Sequence, residues 1–367
     1  MRLIRRFPKA KRPLSIFVLR NNDLGDLVVV TPLFKALRMA FPDAYIVAGV
    51  CSWSKDILKN NPYISEVVDC NAPWHNHRAP HKSLTKALKY IFGSPEVTRL
   101  RSYKFHVGID VLGSPFGSML LMHLNIPIRL GRKGYAGGHS GATAYLENTT
   151  TTSVAKGVLE FARLLKKDAE IDSDTKPQLY LSLPEIEEAK KVWLEIEETA
   201  GKGRPRIVVA PGAGVPDKQW PVARFAELIG RLSKETCGCV LGSSEDRQLG
   251  EAIARDVEGW SNRCGKVSIR QSMALISLAD LVICHSSFVM HLASAFSRPA
   301  VVILTRALDS KIHAYFWEVE GSHYQLYPSG KDHHVSVAAV EEQTRVLLKF
   351  IQNRSTEKSS VALQDLR

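Results

Sequence analysis

The sequence predicts an α/β protein made of two Rossmann-like, doubly wound domains, and three observations carry that expectation. Short apolar runs alternate with amphipathic segments of helical period from end to end, the pattern of parallel sheets covered by helices on both faces. The chain has 367 residues, too many for one ordinary domain and suited to two. Midway, a charged segment of helical period, Pro184 to Glu198, gives way to the Gly- and Arg-rich stretch 200–206 and then to a fresh buried run at Ile207. The expected domains are therefore 1–183 and 184–353, with a polar, aperiodic tail at 354–367 that should fray.

In the first half the apolar runs Ser15 to Leu19, Tyr45 to Gly49, Glu66 to Val68 and His106 to Asp110 read as strands. Between them Leu33 to Ala40, Ser83 to Ile91 and Ser118 to Leu124 have helical spacing. The second half repeats the plan with strands at Ile207 to Ala210, Cys239 to Gly242, Leu281 to Cys284 and Ala300 to Leu304. Its helices are expected at Val222 to Lys234, Arg247 to Asp256, Ile269 to Leu278 and Phe288 to Phe296.

A 45% hydrophobic and 23% charged composition describes a folded chain and excludes a disordered one. No run approaches the ~18 uninterrupted apolar residues of a membrane span, and Leu14 to Leu19 is too short for a secretory core, so a cytoplasmic protein is expected. Forty-nine Lys and Arg against thirty-seven Asp and Glu leave a formal charge of +12, which favours polyanionic partners. Nucleic acid is the weaker candidate, because no finger, RNP-like strand or basic heptad helix is present. The basic residues Lys82, Lys86, Lys89, Arg99, Arg101 and Lys104 and the cluster Arg129, Arg132, Lys133 suit a phosphorylated glycan or an anionic membrane surface, or are simply solvated. Six cysteines lie in or beside apolar runs, as reduced buried thiols do, and Cys237 and Cys239 lack the second pair a zinc finger needs. The histidines His75, His77, His81, His333 and His334 fall in loop-like sequence that could bind metal adventitiously, a purposeful site being the weaker reading.

Open α/β sheets bind ligands beyond the carboxyl ends of their strands, so the strand-to-loop junctions are where chemistry should lie. The first, Arg20 to Leu27, holds Gly25, read as allowing a sharp turn, and Asp26 at a helix amino terminus. Asp26 is either a general base or a helix cap, and the helix can also start later, with Thr31 as cap and Pro32 in its first position. The second, Ala210 to Pro221, offers Gly212 and Gly214 for close approach of amides to an anion, Lys218 as a point charge and Pro221 for a first helical turn. The third, Leu241 to Asp246, follows a strand with Gly242 and two acids, Glu245 and Asp246, which accept ribose hydroxyls or cap the next helix. The fourth, Ile283 to Leu292, places Ser286 and Ser287 at the start of an apolar helix fit to hold a pyrophosphate, with Phe288, Met290 and His291 behind them. His291 reads better as a buried, satisfied histidine than as a reactive one.

Together these junctions resemble those of glycosyltransferase family nine, the ADP-heptose:lipopolysaccharide heptosyltransferases. The resemblance runs through Leu24-Gly-Asp-Leu-Val-Val-Val-Thr-Pro-Leu33, Phe41-Pro-Asp43, Asn61-Pro62, Pro211-Gly with Lys218-Gln-Trp-Pro221, Ala279-Asp-Leu-Val-Ile283 and Met290-His-Leu-Ala293. It implies a GT-B architecture, an acceptor held by the first domain, a nucleotide-sugar donor held by the second, and inverting, metal-independent transfer in the cleft that they face. Residue by residue it implies Asp26 as general base and Lys218 as the cation that neutralises the departing diphosphate. Gly25, Gly212, Gly214, Ser286, Ser287, Phe288, Met290 and His291 would then serve donor and phosphate, and Gly242 with Glu245 or Asp246 the ribose. No cofactor and no metal are expected; the partners are an ADP-sugar and a phosphorylated glycolipid or surface glycan, met at the inner face of the cytoplasmic membrane.

The sequence departs from that pattern at three places. Ser286-Ser287-Phe288 stands for Asp-Thr-Gly, Thr305-Arg-Ala307 for Gly-Pro-Thr, and Gly117-Ser118 for Arg-Ser. The alternative function is accordingly a catalytically silent nucleotide-sugar-binding or scaffold protein, against which Asp26 and Lys218 argue. A dehydrogenase ranks lower still, since no Gly-x-Gly-x-x-Gly follows the first strand.

Overall fold

Continuous β-branched and aliphatic runs need cover on both faces, which only a sheet flanked by helices supplies. A computed structural model of the 367-residue chain describes residues 13–75, 83–133, 137–147, 153–168, 171, 173–214, 216–305, 323–328 and 334–364. Lys82, His77, His81, His333, Arg306 and Ala307 lie outside the described residues. The chain divides between Tyr180 and Leu181 into two units.

In the first unit β1 (Ser15–Leu19), β2 (Tyr45–Val50), β3 (Glu66–Asp69), β4 (Val107–Asp110), β5 (Ile128–Arg132) and β6 (Ala144–Leu146) form one six-stranded sheet. Its order is β3-β2-β1-β4-β5-β6 and every pairing is parallel, with Phe17 opposite Val47 on one side and Gly108 on the other. Its helices are α1 (Leu24–Val29), α2 (Pro32–Ala40), α3 (Leu84–Gly93), α4 (Pro95–Ser102), α5 (Pro115–His123) and α6 (Val154–Leu165). Phe17, Val47, Trp74, Ile91 and Leu120 meet in a core under α3 to α5.

The second unit repeats this topology with β7 (Arg206–Ala210), β8 (Cys237–Val240), β9 (Trp260–Asn262), β10 (Leu281–His285), β11 (Ala300–Ile303) and β12 (His323–Leu326). The order β12-β11-β10-β7-β8-β9 is again all parallel. It carries α7 (Leu183–Ala200), α8 (Val222–Leu232), α9 (Arg247–Ala254), α10 (Ile269–Ser277), α11 (Phe288–Ala295) and α12 (Val337–Gln364). The start of α7 is fixed twice: Glu185 reaches back to the Ser182 amide at 2.7 Å and takes Arg270 of α10 as a two-point partner at 2.8 and 2.7 Å. That pairing holds the Glu185 carboxyl down to about 2. All six cysteines are buried free thiols.

Both sheets reverse strand order at their centre, between β1 and β4 and between β7 and β10, and ligands of open α/β sheets gather at such points. The sequence reading differs from the structure at the end of the chain. The tail at 354–367 was expected to fray, yet the backbone of α12 is helical through Gln364. No Gly or Pro interrupts 337–364, and Glu357, Lys358, Ala362 and Leu363 are good helix formers.

Candidate functional site

In the first unit the switch point is built by the loop after β1. Arg20 still pairs with the sheet, its amide donating to Gly49 at 3.0 Å. The next two side chains tie the loop to the segment after β3: Asn21 Nδ2 donates to the Trp74 carbonyl at 2.8 Å and Asn22 Nδ2 to that of His75 at 2.7 Å. The chain thus turns without a left-handed residue. Gly25 was expected to make a sharp turn there and does not; it is a helical residue of α1, and Asp23 holds the N-cap position. Both helix starts exist, because Pro32 opens α2 after Thr31, whose hydroxyl bonds back to the Val28 carbonyl at 2.7 Å.

Asp26 lies in the first turn of α1 with its side chain 24% exposed, 3.5 Å from Arg20 Nη2. Arg20, only 6% exposed, also donates from Nε to the Asp26 carbonyl at 3.3 Å, so one guanidinium grips both ends of the residue. Across the switch point Asp110 ends β4, buried, and accepts the Ser114 amide at 2.7 Å. Burial raises its carboxyl to about 6 against the lowering pull of that amide, those of Gly113 and Leu112, and Arg20. Gly117 faces it, and a Cβ at that position would collide with the carboxylate. The glycine at 117 therefore leaves the room that buried acid needs.

The second unit's switch point is lined by the loop after β7. Gly212 packs so closely on Asp246 that a Cβ would lie 2.7 Å from its carboxylate oxygens. Gly214 is exposed, and Lys218 ends a 3-10 turn, Pro216–Lys218, half-buried and with no hydrogen-bond or ion-pair partner among the described residues. The loop then locks down: Trp220 is 1% exposed, donates from Nε1 to the Val335 carbonyl at 2.7 Å, and from its amide to His285 Nε2 at 2.8 Å. Because Nε2 accepts, His285 is neutral with its proton on Nδ1, a tautomer assigned from this bond. Burial lowers its pKa to about 4, with His334 also lowering it and the Gly212 backbone raising it. The sequence reading passed over His285; a histidine closing a buried parallel strand at a switch point was the signal.

Of the two acids after β8, the structure separates the roles. Asp246 is spent locally, accepting the Ser243 amide and hydroxyl, each at 2.8 Å, and packing against Gly242 and Gly212. Glu245 is exposed and has no partner among the described residues. After β10, Ser287 takes the N-cap position of α11 without using its hydroxyl as a cap, and Ser286 and Phe288 are partly exposed beside it. Met290 and His291, 1% and 5% exposed, belong to the interior. Among the described residues no group of three or more His, Cys, Asp or Glu is placed to hold a metal ion, and no helix is long and apolar enough to cross a membrane.

Two units of one doubly wound, all-parallel topology define a protein of the GT-B fold class. The chain belongs to glycosyltransferase family 9 (heptosyltransferase), whose model matches residues 97–333. It is 24% identical over 316 residues to lipopolysaccharide heptosyltransferase 2 of Salmonella typhimurium, covering 79% of this chain and 82% of that one. Among solved structures it is similar to a family 9 glycosyl transferase of Veillonella parvula, with a TM-score of 0.73, 18% identity and coverage of 91% and 97%. It is also similar to the ADP-heptose lipopolysaccharide heptosyltransferase II of E. coli, with a TM-score of 0.69, 20% identity and coverage of 92% and 100%.

Proposed function

We propose that the chain transfers a heptosyl residue from an ADP-linked donor to a hydroxyl of a lipopolysaccharide-core saccharide, with inversion and without a metal ion. The names of the relatives support the donor and acceptor class. The observation that carries the reading is Lys218, an ammonium with no ion-pair partner among the described residues, on a glycine-lined loop at a sheet switch point, the place and charge a diphosphate leaving group requires.

Asp26 takes the proton of the acceptor hydroxyl as its oxygen bonds to the anomeric carbon. The bond from that carbon to the diphosphate oxygen breaks, and ADP leaves with the electron pair. Lys218 and the amides around Gly212 and Gly214 meet the charge developing on it, the task a divalent ion performs elsewhere. Glu245, exposed and without a partner among the described residues, is the acid for the ribose hydroxyls in preference to Asp246. Ser286 and Ser287 offer hydroxyls to the diphosphate or sugar, with Phe288 in place of a glycine shaping which sugar fits. The +12 charge suits work at the anionic inner face of the cytoplasmic membrane.

A thermal-shift panel of nucleotides and nucleotide sugars tests this reading, because a ligand bound only by the native state raises its melting temperature. ADP and ADP-heptose should stabilise the protein, and UDP- and GDP-sugars should not. Indifference to every ADP compound would contradict it.

A further inference from the structure

The three cations of β5 and the residue just beyond it have unlike fates. Arg129 is structural, donating from Nε to the Gly141 carbonyl and from Nη1 to that of Ile126, both at 2.7 Å. Lys133 pairs with Glu147 at 3.3 Å. Arg132 is half-buried, yet none of its five N–H donors has a hydrogen-bond or ion-pair partner among the described residues. Its guanidinium lies 5.7 Å from the centre of the Phe161 ring and against Gly157, where a Cβ would sit 3.3 Å from Nη1.

The surroundings do not neutralise it. Burial, and after it the charge of nearby Arg20, lowers the Arg132 pKa to about 10. Asp26 already answers Arg20, and the Asp110 carboxylate is engaged by the amides of Ser114, Gly113 and Leu112. A cation withdrawn from water and left without an acceptor is costly unless a ligand supplies the anion. We propose that Arg132, backed by Arg20, is the receptor for an oxyanion substituent of the acceptor, a phosphate or a carboxylate, at the carboxyl edge of the first unit's sheet. This rests on the transferase reading for the word acceptor; the oxyanion site itself does not.

The test has two arms. Inorganic phosphate is titrated calorimetrically into the full chain carrying Lys218→Ala, which removes the competing cation of the second unit, with and without Arg132→Met. Phosphate affinity should fall on the order of tenfold or more when Arg132 is removed, as expected for charge-assisted hydrogen bonds, and Arg132→Lys should keep part of it. Arg132→Met exchanges a guanidinium with no hydrogen-bond or ion-pair partner among the described residues for an apolar chain of similar reach and should fold with an undiminished melting temperature. Equal phosphate affinity with and without Arg132 overturns the proposal, whatever the fate of the transferase reading.

The second arm compares turnover of acceptors bearing a phosphate, a carboxylate or neither. Arg132→Met should raise KM on the order of tenfold for whichever anionic acceptor the site receives, with kcat nearly unchanged, and leave the uncharged acceptor alone. A rise shared by all three acceptors would make Arg132 a structural residue and sink the proposal.

Discussion

The amide of Trp220 donates to Nε2 of His285 at 2.8 Å, which ties the end of the loop carrying Lys218 to the last residue of β10. A buried amide needs an acceptor, so the neutral imidazole acts here as part of the loop's backbone bonding. His285→Leu leaves that amide unsatisfied and should cost about 1–3 kcal/mol in chemical denaturation. His285→Gln, whose side-chain oxygen reaches the place of Nε2, should recover much of it.

The same bond makes stability depend on pH. The His285 pKa falls from 6.5 to about 4 in the folded protein, so between those values the unfolded chain takes a proton that the native one refuses. Its contribution is intact above pH 6.5 and is lost as the pH drops toward 4. The slope of unfolding free energy against pH in that window should be shallower in His285→Gln than in the wild type.

Lys218 has no hydrogen-bond or ion-pair partner among the described residues and lies in a 3-10 turn of a loop, so Lys218→Ala should leave the melting temperature within experimental scatter. Its kcat should nonetheless fall by about 10²-fold, the loss typical of one group that stabilises charge in the transition state. Wild-type turnover in this variant would remove Lys218 from the mechanism.

Gly117 and Gly212 each face a carboxylate across a gap too small for a methyl group. Gly117→Ala should destabilise the first unit by about 1–3 kcal/mol through overpacking against Asp110. Gly212→Ala should push the second unit's loop off Asp246 and weaken ADP binding, read by calorimetry, with a smaller effect on stability.

The Glu185–Arg270 pair, 15% and 7% exposed, joins α7 to α10, and Glu185 titrates at about 2 instead of 4.5. A depressed carboxyl stabilises the native state above its unfolded pKa and loses that effect on acidification, here from about pH 5 down to 2. Arg270→Met should destabilise by about 3 kcal/mol at pH 7 and flatten that acid limb.

Much of the fold was legible because parallel strands buried on both faces write themselves as apolar runs: Ser15 to Leu19 and Leu281 to Cys284 needed no other clue. Strands of three residues with polar members, Ala144–Leu146 and Trp260–Asn262, carry no period and went unread. At the site, sequence found the junctions but not the pairings within them. Nothing in Glu245-Asp246 distinguishes the acid that is spent on Ser243 from the one that is not. Nor does Arg129-Leu-Gly-Arg-Lys133 reveal that, among the described residues, Arg132 is the one of the three without a hydrogen-bond or ion-pair partner, since that depends on carbonyls at Ile126 and Gly141 and on Glu147.

Most direct for the central claim is transfer of labelled heptose from ADP-heptose to a lipopolysaccharide-core acceptor by the wild type and by Asp26→Asn, with ADP affinity measured on both. The wild type should form the glycosylated product, and Asp26→Asn should lose at least about 10²-fold in kcat while binding ADP as tightly. A wild type that neither binds ADP nor transfers the label, or an Asp26→Asn variant that turns over at the wild-type rate, would contradict the account.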